Sequence, residues 1–202
     1  GGAVEAFEYM PRRYVEAYLA MHPQARAPFE TMHGVNILLE VGATAPRDVD
    51  PGADGRPPLA QHLEDVLASA FEEGALLDAV VAQNDTQRQA MWAMREAAGP
   101  VTLSRKPVVN NDIAVPLDKV SVFLERMDAR LSQMDPDAVA MVVSHLGDGN
   151  IHYAIWPGRE DPAHLDALME AVEDQVLALG GSFSAEHGIG VTKLPAMARH
   201  KD

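Results

Sequence analysis

Two short apolar runs, Val139 to Ser144 and Ile151 to Trp156, flank the dipeptide Asp148-Gly149, and this arrangement dictates an antiparallel pair of strands. A two-residue type I′ turn needs positive φ at both central positions, which Asp-Gly tolerates because glycine has no Cβ to clash. In that register Gly147 pairs with Asn150, Leu146 with Ile151 and His145 with His152. The rest of the chain must be built around this hairpin.

Amphipathic helical spacing accounts for most of what remains. It appears from Pro11 through Tyr14, Val15, Tyr18 and Leu19, and from Leu59 through Leu67 to a stop at Gly74. It recurs behind an Asp85-Thr86 cap, from Leu117 to Leu131, and from an Asp161-Pro162 opening to Gly180-Gly181. Single apolar segments between these helices read as strands: Val35 to Val41, Leu77 to Val81, and Asp112 to Pro116 preceded by Val108 and Val109. Pro46 to Pro58 reads as a solvated loop. Single strands alternating with helices around one hairpin predict an α+β fold, an antiparallel sheet with helices packed on it and ferredoxin-like βαβ pieces. No Gly-x-Gly-x-x-Gly turn follows a strand, since Gly188-Ile-Gly190 lacks the third glycine.

The composition narrows the function. The chain is 47% hydrophobic and 23% charged, ordinary values for a globular domain. A formal net charge of -14 would repel a phosphate backbone, so nucleic acid is not an expected partner. There is no cysteine, so any metal must be held by His, Asp or Glu. No apolar run approaches the roughly 20 residues of a membrane span, and the first 30 residues carry Glu5, Glu8 and Glu16, so a cytoplasmic protein is expected. The chain opens on Gly1-Gly2-Ala3 without an initiator Met and stops at Lys201-Asp202, and it is expected to be part of a longer polypeptide.

Three segments carry chemistry. On the hairpin, His145 and His152 would stand opposite each other with Cβ atoms about 5 Å apart, a chelating distance for two imidazoles. Spacing alone leaves an incidental pair of surface histidines equally open. In Ser182-Phe-Ser-Ala-Glu186-His187-Gly188-Ile-Gly190, adjacent side chains serve one site only if the backbone bends, and Gly188 and Gly190 make a bend available. Glu186 could then complete a His, His, Glu shell suited to zinc or manganese, leaving His187 as a proton acceptor. A charged loop after a helix is the plainer interpretation. Arg95, in Met91-Trp-Ala-Met-Arg95-Glu96, is a natural fork for a carboxylate, although on residue type alone it is a solvent-facing charge.

Together with Asn111-Asp112-Ile-Ala-Val-Pro116, these segments resemble the C-terminal domain of the FAD-linked oxidases, which include D-lactate dehydrogenases, D-2-hydroxyglutarate dehydrogenases and the glycolate oxidase FAD subunit. The resemblance implies His145, His152 and Glu186 as metal ligands, His187 as the base that takes the hydroxyl proton, and Arg95 as the grip on the substrate carboxylate. It also implies FAD, held mainly by a separate domain of the same polypeptide, and a small 2-hydroxy acid as substrate. Without that domain the fragment is expected to bind no FAD and turn over nothing, and its uncovered apolar surface could support a homodimer. Two positions depart from the family pattern: Asn110 stands where many members carry Lys, and Ala154 where the 2-hydroxyglutarate enzymes carry Asn. The competing readings are a metal-dependent hydrolase or isomerase, whose parent protein would be colourless, and a noncatalytic binding module.

Overall fold

The computed structural model describes residues 3–200 except 54 and 192. Strands β1 (Val4–Pro11), β2 (Val35–Val41), β3 (Val109–Ala114), β4 (Val139–His145) and β5 (Asn150–Trp156) form one antiparallel sheet in the order β2-β1-β4-β5-β3. The main helices are α1 (Arg12–Met21), α3 (Pro58–Glu72), α4 (Asp85–Glu96), α6 (Val120–Met134) and α7 (Pro162–Ala178); α2 (Pro46–Val49), α5 (Ala98–Thr102) and α8 (Leu194–His200) are short. Among the described residues no helix is long and apolar enough to cross a membrane.

The ferredoxin-like piece is present. β3 and β4 both run antiparallel to β5, which lies between them, so β3-α6-β4 is a split βαβ unit. After α7 the chain returns to the outer edge of β3, where a single bridge between Ala114 and Ser182 stands in for a fourth strand. β1 and β2 extend the sheet on the other side.

The two faces of the sheet bury different cores. Ile113, Val142, Ile151, Tyr153 and Ile155 pack with Phe123, Met127 and Leu131 of α6 and Leu168, Val172 and Val176 of α7. On the opposite face Met10, Leu38 and Val143 meet Tyr14, Val15 and Tyr18 of α1, Met94 of α4 and Val101 of α5. Strand side chains alternate between these cores with period two, so every residue facing α4 shares the parity of Glu8, Asp112, His145 and His152.

Several sequence expectations are corrected. The hairpin is not a two-residue turn: His145 pairs with Asn150 and Val143 with His152, leaving residues 146–149 as the connection. Only Gly149 (φ +79°) has positive φ there, and Asp148 instead accepts the Asn150 amide through its side chain, so the local bond wins over a type I′ conformation. Because the register shifts by two residues, both histidines keep the same face and become diagonal neighbours. Leu77 to Val81 is not a strand. Among the described residues no strand pairs with it, Leu77 is 74% exposed, and the side chains of Asp78 and Gln83 take up the Ala79 amide and the Val81 carbonyl instead. The cap of α4 is Asn84, not Asp85-Thr86: its side chain accepts from the Gln87 amide, and its extended backbone suits the position. The strand expected over Asp112 to Pro116 lies over Val109–Ala114, and residues 117–119 are a 3-10 turn before α6 begins. The expected loop over Pro46 to Pro58 includes the single turn of α2.

Gly149 also allows close approach. A Cβ there would lie 2.1 Å from the Val115 carbonyl oxygen, and the Val115 amide donates to the Gly149 carbonyl at 3.1 Å. Gly149→Ala is expected to cost at least about 2 kcal/mol, from positive φ plus displacement of the β3 end. A urea unfolding curve on the variant measures it, and a midpoint equal to wild type would contradict this role.

Candidate metal and carboxylate site

The site is a row of side chains across four strands. Glu8 on β1 stands directly opposite His145 on β4, and Asp112 on β3 stands directly opposite His152 on β5. Each histidine thus has its own carboxylate on the neighbouring strand, both at most 6% exposed. Cross-strand neighbours at this separation interact, and burial of the two carboxylates weakens the screening of their charge.

His145 and His152 have ring centroids 5.5 Å apart. Glu186 reaches the same point from the loop after α7, with its carboxylate 3.9 Å from His152 Nε2. One donor atom from each of His145, His152 and Glu186 lies within 4.8 Å of the others. Bonds of about 2.0 to 2.2 Å place the donors of a single ion about 3 to 4.4 Å apart, so a small inward movement closes the shell. Burial pushes the His152 imidazole below its ordinary pKa despite the Asp112 and Glu186 charges, which favours the neutral form that a metal would need. The donor set therefore fits a divalent ion of borderline softness.

Asp112 organises the loop that delivers Glu186. Its Oδ2 accepts the backbone amides of Glu186 and His187, each at 2.8 Å, and its own carbonyl accepts from Ala185 at 3.2 Å. The bend expected from the glycines is there, with Gly188 at φ +64° and Gly190 at φ +55°. Lys193 closes the loop, donating to the Ser184 hydroxyl at 3.0 Å and the Asp112 carbonyl at 3.3 Å. Asp112 Oδ1 is buried, has no hydrogen-bond partner among the described residues, and faces His152 Nδ1 at 3.8 Å. A carboxylate behind a ligating imidazole orients the ring and raises its basicity. His187 is 65% exposed at its side chain, 3.8 Å from Asp112 and with its ring 5.8 Å from that of His152.

Burial alone would raise the Asp112 carboxyl, but the two amide donors, with the His187 and Lys193 charges, outweigh it and hold it below the usual range. A carboxyl depressed on folding contributes stability that is present above its unfolded value, about 3.9, and is lost as pH falls through the folded value. Asp112→Asn is therefore expected to lower stability at neutral pH and to shallow the loss of Tm as pH is taken from 5 to 2. A variant whose acid limb superimposes on wild type would contradict this.

Arg95 is not the solvent-facing charge that its residue type suggests. It is 7% exposed, near the end of α4, and donates through Nε to Glu8 at 2.7 Å. Its NH2 lies 3.1 Å from His145 Nε2, and His145 Nδ1 lies 2.9 Å from the Glu8 carboxylate. An ion at His145 Nε2 would displace the first of these contacts and leave the bond between Arg95 Nε and Glu8 untouched. An open cleft at the Glu8 and His145 end of the row is also lined by Glu5, Phe7, Asp148 and Glu186.

The structure brings His145, His152, Glu186 and Arg95 together, with His187 beside them. Sequence reasoning gave no role to Glu8, Asp112 or Lys193. The available signal was a charge placed within an otherwise apolar strand: Glu8 shares parity with Ala6 and Met10, and Asp112 runs directly into Ile-Ala-Val. Such charges need buried partners.

The profile of the family described as FAD linked oxidases, C-terminal domain, matches residues 1–202, and the chain belongs to that family. It is 32% identical over 196 residues to a D-2-hydroxyglutarate dehydrogenase of Stutzerimonas stutzeri, covering 93% of this chain and 39% of that protein. It is 31% identical over 198 residues to a D-2-hydroxyglutarate dehydrogenase of Xanthomonas citri, covering 94% and 38%. A mitochondrial D-2-hydroxyglutarate dehydrogenase of Arabidopsis thaliana is 27% identical over 194 residues, covering 96% and 32%. The chain thus spans well under half the length of these relatives.

Proposed function

We propose that this chain is the substrate- and metal-binding part of a flavin-dependent dehydrogenase that oxidises a D-2-hydroxy acid to the 2-oxo acid. The observation that carries the reading is the convergence of His145, His152 and Glu186 within 4.8 Å, beside Arg95. It is supported by the family match and by relatives named as D-2-hydroxyglutarate dehydrogenases.

His145, His152 and Glu186 would hold a divalent ion, zinc or manganese, and such an ion acts as a Lewis acid on a hydroxyl oxygen. Bound FAD, carried mainly by another part of the polypeptide, supplies the hydride acceptor. The terminal guanidinium edge of Arg95 pairs with the substrate carboxylate, since its Nε is already taken by Glu8. Fixing that carboxylate fixes the α-carbon, which turns an encounter into a positioned reaction. His187 receives the hydroxyl proton; its side chain is exposed beside the His152 ring, and its backbone amide is held by Asp112.

The test is anaerobic mixing of the full-length protein with D-2-hydroxyglutarate or D-lactate. Bleaching of the flavin absorbance is expected, abolished by prior chelation and restored by Zn²⁺ or Mn²⁺. A colourless protein, or bleaching indifferent to chelation, would contradict the reading.

A further inference from the structure

We propose that Glu8 is a positioning residue that fastens the carboxylate-binding arginine and one metal-ligating histidine into a single unit. This rests on the ion and substrate roles of His145 and Arg95 given above, and it adds a residue that those roles do not include.

Glu8 is 5% exposed, and its carboxylate has two partners. Arg95 Nε donates to Oε2 at 2.7 Å, and His145 Nδ1 lies 2.9 Å from the same carboxylate. A carboxylate only accepts, so Nδ1 must carry the ring proton, and the lone pair is left on Nε2. That choice of tautomer decides which nitrogen a metal can use. On the other side, consuming Nε fixes the plane of the guanidinium and leaves its terminal edge as the only fork available to a ligand.

The backbone makes the arrangement rigid. Glu8 and His145 are direct partners in the β1-β4 ladder, and the Leu146 amide donates to the Phe7 carbonyl at 2.8 Å beside them. Tyr14 Oη bonds the Met94 carbonyl, which anchors the end of α4 that carries Arg95. Glu8 is the side chain in which sheet and helix meet. A carboxylate placed only to stabilise the fold would need Arg95 alone; the second contact, to His145, is what ties it to the ion site.

Zn²⁺ calorimetry on the full-length protein tests this, using wild type, Glu8→Gln and Glu8→Asp. Glu8→Gln keeps the shape and removes the charge, and Glu8→Asp keeps the charge but withdraws it by one methylene. In each folded variant the Zn²⁺ dissociation constant is expected to rise about 10- to 100-fold, as for other residues behind a metal ligand. If Glu8→Gln fails to fold because Arg95 is left unpaired, Glu8→Asp carries the measurement. Wild-type uptake of Zn²⁺ with a folded variant of unchanged affinity overturns the role of Glu8 alone. Wild-type protein that takes up no Zn²⁺ overturns the metal reading of the site, and the role of Glu8 with it.

Discussion

His152→Ala in the full-length protein is expected to lose the bound ion and to reduce turnover by more than about 100-fold. Residues standing behind a metal ligand typically cost 10- to 100-fold when removed, so loss of a ligand itself must exceed that range. His152 is the central donor of the three: its Nε2 faces Glu186 at 3.9 Å, and its ring lies against that of His145. Stability should change little by comparison, because the ring is part-exposed and makes no close hydrogen bond among the described residues. Ion content by elemental analysis and turnover of a D-2-hydroxy acid measure both effects. Unchanged ion content with unchanged turnover would support a noncatalytic role for the hairpin.

The second large effect is expected at Arg95. Arg95→Ala removes the cationic partner of a carboxylate that is almost wholly buried and leaves it only the His145 imidazole; breaking such a buried pair costs about 3 to 5 kcal/mol. It also removes the fork proposed for the substrate carboxylate, so KM should rise in whatever fraction folds. Arg95→Lys separates the two roles. The ammonium can still neutralise Glu8, so most of the stability should return, whereas bidentate recognition should not. Urea unfolding and steady-state kinetics on both variants read the split. An Ala variant within about 1 kcal/mol of wild type would show that Glu8 is not dependent on Arg95.

How far these features were visible in the sequence depended on whether the signal was local. The helices from Leu59, Leu117 and Pro162 follow from spacing, and β4 and β5 from short apolar runs bounded by turn residues. The face shared by His145 and His152 was also legible, because a two-residue error in register leaves side-chain parity intact. The register itself was not, since Asp148 could either adopt positive φ or cap the Asn150 amide, and only the tertiary setting decides. β1 was invisible for a different reason. Its Glu-Ala-Phe-Glu-Tyr-Met sequence mixes charge and apolar residues on both faces, and Glu8 points inward only because Arg95 and His145 await it from residues far along the chain. Leu77 to Val81 shows the converse: an apolar run without a partner does not become a strand. Glu186 and His187 were legible as a pair, but the atom that holds them, Asp112 Oδ2, lies 74 residues before Glu186.

The most direct measurement is the position of the anomalous scattering peak in crystals of the Zn²⁺-loaded protein. A single strong peak within bonding distance of the imidazoles at 145 and 152 and the carboxylate at 186 is the expected result. A peak elsewhere, or one touching fewer than these three side chains, would contradict the claim that they form one metal centre.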